Sequence, residues 1–179
     1  MNIPYFFINP QSHFMTPGAV AFIPGWIWLE MIIFIIVVFK PNLFKYNLKS
    51  NQIISPYLFV FIIGSLMPAF DDILAFLFGP PFAHHSLFHS ILGSLLTFLF
   101  FRALSNKKIA LFALSGNLLH ILFNFYLDYV SLFFPLTYQE FGLTDILKIS
   151  TYWLKVINYP IIIILFIYSI LKYLLTLKK

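Results

Sequence analysis

Two aspartates and three histidines crowd one stretch of the chain: Asp71 and Asp72, then His84, His85 and His89. Imidazole and carboxylate are donors that Zn²⁺, Mn²⁺ and Fe²⁺ accept. A second polar series follows at steps of four, His120, Asn124 and Asp128. On a helix, residues four apart return to nearly the same face about 6 Å further along, so this series reads as one polar stripe. His85 and His89 are also four apart, and on a helix both point one way. If the two groups meet, Asp71, Asp72, His84, His85, His89 and the upper part of the stripe line one pocket. Such a pocket suits one divalent metal ion, or two if most of the groups take part. There is no cysteine, so thiolate nucleophiles, disulfides and Cys-based metal centres are excluded.

The elements that position these groups follow from composition. Of 179 residues, 61% are hydrophobic and only 9% charged, whereas a soluble domain is about a quarter charged. The chain reads as an all-α, polytopic membrane bundle in a single domain, 1–179, of a multi-pass cell-membrane protein. A spanning helix needs about 20 mostly apolar residues. Five stretches qualify, near Gly18–Phe39, Ile53–Phe70, Ser86–Phe101, Ile109–Phe134 and Tyr152–Leu175. The third is short, and a helix extended through His84 and His85 lengthens it. Unbroken Phe, Leu and Ile runs lack the two-residue alternation of barrel strands. Asp72–Phe82 reads as an interfacial or re-entrant helix followed by a turn, with Pro68 breaking or kinking the helix before it. Thr137–Ser150 reads as a loop with a short amphipathic helix. Pro160 is expected to kink the fifth span.

Charge gives orientation. Lys40, Lys45 and Lys49, then Arg102, Lys107 and Lys108, then Lys172, Lys178 and Lys179 hold nine of the eleven basic residues. In a five-span reading they share one side, which the positive-inside rule makes cytoplasmic. The C-terminus is then cytoplasmic, and the N-terminus and the His/Asp groups face outward. His120 falls about 18 Å along its span, near mid-membrane. The net charge of +5 is spread over separate loops, so membrane lipid is the expected partner and nucleic acid is not. Met1–Thr16 carries no Lys or Arg, and no signal peptide is expected.

Other candidates carry less. Glu30 sits midway along the first span and is a possible base, ligand or ion-pair partner. Trp26, Trp28 and Trp153 read as anchors or packing residues. Ser86 and Ser90 neighbour histidines, but no oxyanion hole accompanies them. No phosphate loop, nucleophile elbow or H-E-x-x-H motif is present. Taken singly, each polar residue has an ordinary reading: an intramembrane histidine as a helix–helix hydrogen-bond partner, or an aspartate as a solvated span end.

The motifs resemble the bacterial and archaeal family of membrane-bound metal-dependent hydrolases whose bacterial type member is under LexA control. Pro68-Ala69-Phe70-Asp71 matches its Pro-Asp-x-Asp with the first aspartate lost. His84-His85-Ser86-Leu87-Phe88-His89-Ser90 keeps the outer histidines and the final serine of His-Arg-Gly-x-Thr-His-Ser. Gly116 and His120 match a later Gly-x-x-Ser-His-x-x-x-Asp, with Asn124 where aspartate is usual, and Pro135 follows. His13 stands where the family has an N-terminal histidine. The resemblance covers about Leu66–Pro135.

The resulting expectation is a metal-dependent hydrolase with an outward-facing site, a divalent metal (Zn, or Mn or Fe), and a lipid-linked substrate such as a phosphoester. Asp71, His84, His89 and His120 are the core ligands, completed by Asn124 and Asp128, while Asp72 and His85 are the proton-transfer candidates. Two alternatives use the same residues: a metal transporter, and a non-catalytic membrane subunit in which they make only helix–helix contacts.

Overall fold

The computed structural model describes residues 25–43, 55–79, 82, 85–127 and 129–177. Among them every regular element is helical: α1 (Gly25–Phe39), α2 (Pro56–Leu66), α3 (Phe70–Phe78), α4 (Ile91–Leu104), α5 (Lys107–Leu127), α6 (Leu143–Leu147) and α7 (Thr151–Leu177). Three apolar helical units are long enough to cross a membrane: Pro56–Phe78, Lys107–Leu127 and Trp153–Leu175. Two shorter apolar helices, Trp28–Phe39 and Ile91–Leu104, accompany them. At 1.5 Å per residue the short pair reach about 18–21 Å, less than the roughly 30 Å of a hydrocarbon core.

Local chemistry explains where helices begin and end differently from the sequence reading. Pro68 does not end the second span. It lacks the N–H that would bond Gly64, and the Met67 N–H takes the Gly64 carbonyl instead. A 3-10 turn, Met67–Ala69, then feeds directly into α3, so Asp71 and Asp72 lie inside a continuous unit. That unit stops at Gly79, whose positive φ of 64° costs glycine little. The helix expected to run through His85 and His89 instead starts at Ile91. Ser90 caps it, with extended backbone and a side-chain oxygen accepting from the Gly93 N–H, as N-cap serines do. Residues 85–90 are therefore a turn rather than a helix. α5 ends at Leu127, short of Phe134, and the following loop is pinned by reciprocal Val130–Phe141 backbone bonds. α7 continues through Pro160.

α5 is the centre of the packing. It meets α2 through glycine: a Cβ on Gly64 would collide with the backbone of Ala113, and one on Gly116 with the carbonyl of Phe61. Small residues let membrane helices approach this closely. Leu29, Ile33, Tyr57 and Phe61 form one apolar cluster between α1 and α2, with Ile109, Phe112, Leu119 and Phe123 of α5 packed on it. α1 meets α7 through rings: Trp28 stacks on Tyr159 at 4.3 Å, and Phe34 packs edge-on to Phe166 at 5.4 Å. The outer faces of α4 and α7 expose Leu95, Leu99, Phe100, Ile161 and Ile164, a surface suited to lipid tails.

Contacts between helix ends give the bundle two chemically distinct poles. At one, Phe39 stacks on Tyr168, Lys172 lies over Phe39, Tyr57 stacks on Phe112 and Lys108 lies over Tyr57. Lys40, Arg102, Lys107, Lys108 and Lys172 belong to this pole. The other gathers Asp71, His85, His89, His120 and Asn124.

Candidate functional site

The site is assembled on the 85–90 turn, whose backbone groups have no helix to satisfy them. Asp71 supplies the acceptors. Its Oδ1 takes the Phe88 N–H at 2.9 Å, and its Oδ2 takes the His89 N–H at 3.2 Å. The same Oδ2 bonds His89 Nδ1 at 2.8 Å, with both side chains wholly buried. Asn117 of α5 holds the opposite side of the peptide chain: its amide donates to the Phe88 carbonyl at 3.3 Å. Asn117 is itself oriented by the Ser94 hydroxyl, which donates to its Oδ1 at 2.7 Å. Ser90 donates to the Leu87 carbonyl at 2.6 Å, and the Ile91 N–H reaches the Leu132 carbonyl at 3.0 Å. The turn is thus tied to α3, α5 and the loop after α5.

Three imidazoles converge there. His89 and His85 lie with ring centroids 4.5 Å apart, and His89 and His120 with centroids 5.1 Å apart. The partners of two rings determine which nitrogen carries the proton. His120 Nδ1 is 2.7 Å from the Ser65 carbonyl. A carbonyl only accepts, so this nitrogen carries hydrogen. His89 Nδ1 faces an Asp71 oxygen that is already accepting a backbone N–H, so it donates too. In their neutral forms both rings therefore keep the Nε2 lone pair, and both Nε2 atoms are buried. An imidazole oriented through Nδ1 by a carboxylate or a carbonyl is the usual arrangement behind a metal-ligating Nε2. His85 reaches the same cluster from a left-handed backbone (φ 65°). Such a conformation is uncommon outside glycine and concentrates at functional positions. Its Nε2 is 3.4 Å from Asn124 Nδ2.

The structure therefore brings together Asp71, His85, His89, His120 and Asn124, all buried. His85 and His89 meet through a turn rather than by sharing a helix face. Asp72 is only half-buried and lies about 100° around α3 from Asp71. His84, Asp128 and His13 lie outside the described residues. Glu30 is half-buried on α1, with one carboxylate oxygen inside the bundle. Ser90 serves as a helix cap. Trp28 is buried against Tyr159, whereas Trp153 is exposed. Among the described residues no group of three or more His, Asp or Glu side chains forms a ready-made metal-binding set. Asp71 illustrates why, since both of its oxygens are engaged by the turn.

Sequence reasoning passed over three participants, Ser65, Ser94 and Asn117. Asn117 was within reach, standing three residues before His120 and extending the polar stripe by one turn. Ser65 contributes a backbone carbonyl, for which the residue type gives no signal. Comparison with protein-family models, curated proteins and solved structures finds no match for the chain.

Proposed function

We propose that the protein is a membrane-embedded metal-dependent hydrolase whose site is the buried histidine cluster. The observation that carries this reading is the pair His89 and His120, each fixed through Nδ1 by an acceptor and each keeping its Nε2 lone pair inside the bundle. In this reading the two Nε2 atoms are the primary ligands, and His85 is the further imidazole at hand. Asp71 orients His89 and holds the turn in place of binding metal itself. Zinc, manganese and iron all accept such donors. A divalent ion supplies Lewis acidity and activates water. Buried imidazoles that do not ligate serve to move the proton.

The site lies at the pole opposite Lys40, Arg102, Lys107, Lys108 and Lys172, with only Lys148 and Lys155 of the described basic residues on its own side; by the positive-inside rule its pole is, in this reading, the outer one. Its position in an apolar bundle favours a lipid-linked substrate, and a phosphoester suits a divalent metal. The resemblance to the membrane-bound hydrolases rests on the motif residues alone, and His89 and His120 are among the positions that match. The test is release of phosphate from lipid phosphoesters by purified protein with added Zn²⁺ or Mn²⁺. Metal-dependent turnover lost in His89→Ala is expected; turnover equal in the variant and the wild type would reject the assignment.

The absence of a ready-made metal group among the described residues favours a second reading, a non-catalytic membrane subunit. The cluster would then be a hydrogen-bonded core that fixes helix register. Purified protein that stays metal-free after incubation with each ion would select this reading.

A further inference from the structure

We infer that the basic pole is a binding surface for the phosphate headgroups of anionic phospholipid. Lys40, Arg102, Lys107 and Lys108 are exposed there, and Lys172 is half-buried. Among the described residues no carboxylate offsets them at this pole: Glu30 lies nine residues back from the end of α1, about 13 Å away, and the others belong to the opposite half. Two of the ammonium groups are held in place. Lys108 Nζ sits 4.7 Å from the Tyr57 ring centroid, and Lys172 Nζ sits 4.3 Å from that of Phe39. Cation–π contact keeps these charges over the ring that ends α1 and the ring that opens α2.

The neighbours of the charges distinguish a lipid from other polyanions. Leu99, Phe100 and Leu104 are exposed around Arg102, Leu111 lies one turn from Lys107 and Lys108, and Tyr168 and Leu171 flank Lys172. An apolar outer surface therefore runs directly into each cation. A phospholipid has the same order, acyl chain and then phosphate, and can engage both parts at once. A nucleic acid would meet the cations but leave the leucines and phenylalanines in water. Basic residues near an anionic membrane surface each contribute about fivefold in affinity.

The test is native mass spectrometry of the full chain in detergent, with phosphatidylglycerol and phosphatidylcholine of identical acyl chains. Inorganic phosphate and a short DNA duplex serve as competitors. Phosphatidylglycerol is expected to be retained at least about tenfold better, with the preference lost in Arg102→Gln/Lys107→Gln/Lys108→Gln and little affected by either competitor. Should the triple variant not fold, Lys107→Gln alone is expected to weaken the preference, since that side chain is exposed. Equal retention of the two lipids by the wild type would overturn the inference, as would an undiminished preference in the variants or displacement by the duplex. His89→Ala should leave the preference intact, so this result is independent of the histidine site.

Discussion

The histidine pole and the α1–α7 seam solve the burial problem in opposite ways. In the seam, rings meet rings: Trp28 on Tyr159, Phe34 on Phe166, Phe39 on Tyr168. Such contacts contribute about 0.5–1.5 kcal/mol each beyond area burial, and apolar side chains of similar volume replace one another there at modest cost. At the histidine pole, polar groups are buried and must be satisfied one by one. Asp71 answers the Phe88 and His89 amides, Asn117 answers the Phe88 carbonyl, and His120 answers Ser65. A bundle that needed only to hold together could use the seam's chemistry throughout. Polar groups placed where they are hardest to bury call for either a partner or a function.

That contrast predicts a graded response to substitution. Asp71→Asn should be the most damaging, because the introduced NH₂ must face either the His89 Nδ1–H or a backbone N–H. Donors left unanswered in a buried site cost about 1–3 kcal/mol each, so a loss of about 3 kcal/mol is expected, read as thermal unfolding in detergent. A variant as stable as the wild type would mean that Asp71 does not hold the turn. Gly116→Ala comes next, since its Cβ collides with the Phe61 carbonyl of α2. Overpacking of this kind costs about 1–3 kcal/mol and should also displace His120 from Ser65. Asn117→Ala should cost about 1–2 kcal/mol by freeing the Phe88 carbonyl. Phe34→Leu, in the seam, should stay below about 1.5 kcal/mol and leave metal content unchanged. If Phe34→Leu proved worse than Asn117→Ala, the contrast between the two regions would fail.

Much of this was legible in the sequence, in a particular way. Composition set the bundle, and the types and spacing of Asp71, His85, His89, His120 and Asn124 marked the residues that the fold gathers. What could not be read was the local geometry that gathers them. Ser90 is a strong N-cap residue, but within an apolar run beginning at Ser86 its signal competes with helix periodicity. The spacing of four between His85 and His89 suggested a shared helix face, whereas the two rings meet across a turn. Pro68 suggested a break, yet a 3-10 turn absorbs its missing N–H and carries the helix on. The role of Asp71 depends on backbone amides 17 and 18 residues away, a relation that side-chain identity does not encode.

The most direct test of the central claim is metal content. Elemental mass spectrometry of the purified full chain, after incubation with Zn²⁺, Mn²⁺ or Fe²⁺ and removal of excess, would be compared with His89→Ala and His120→Ala variants shown to be folded. The histidine-site account predicts stoichiometric metal in the wild type and its loss in both variants. A wild type without stoichiometric metal, or variants that retain it, would contradict the account and leave the cluster as a hydrogen-bonded core.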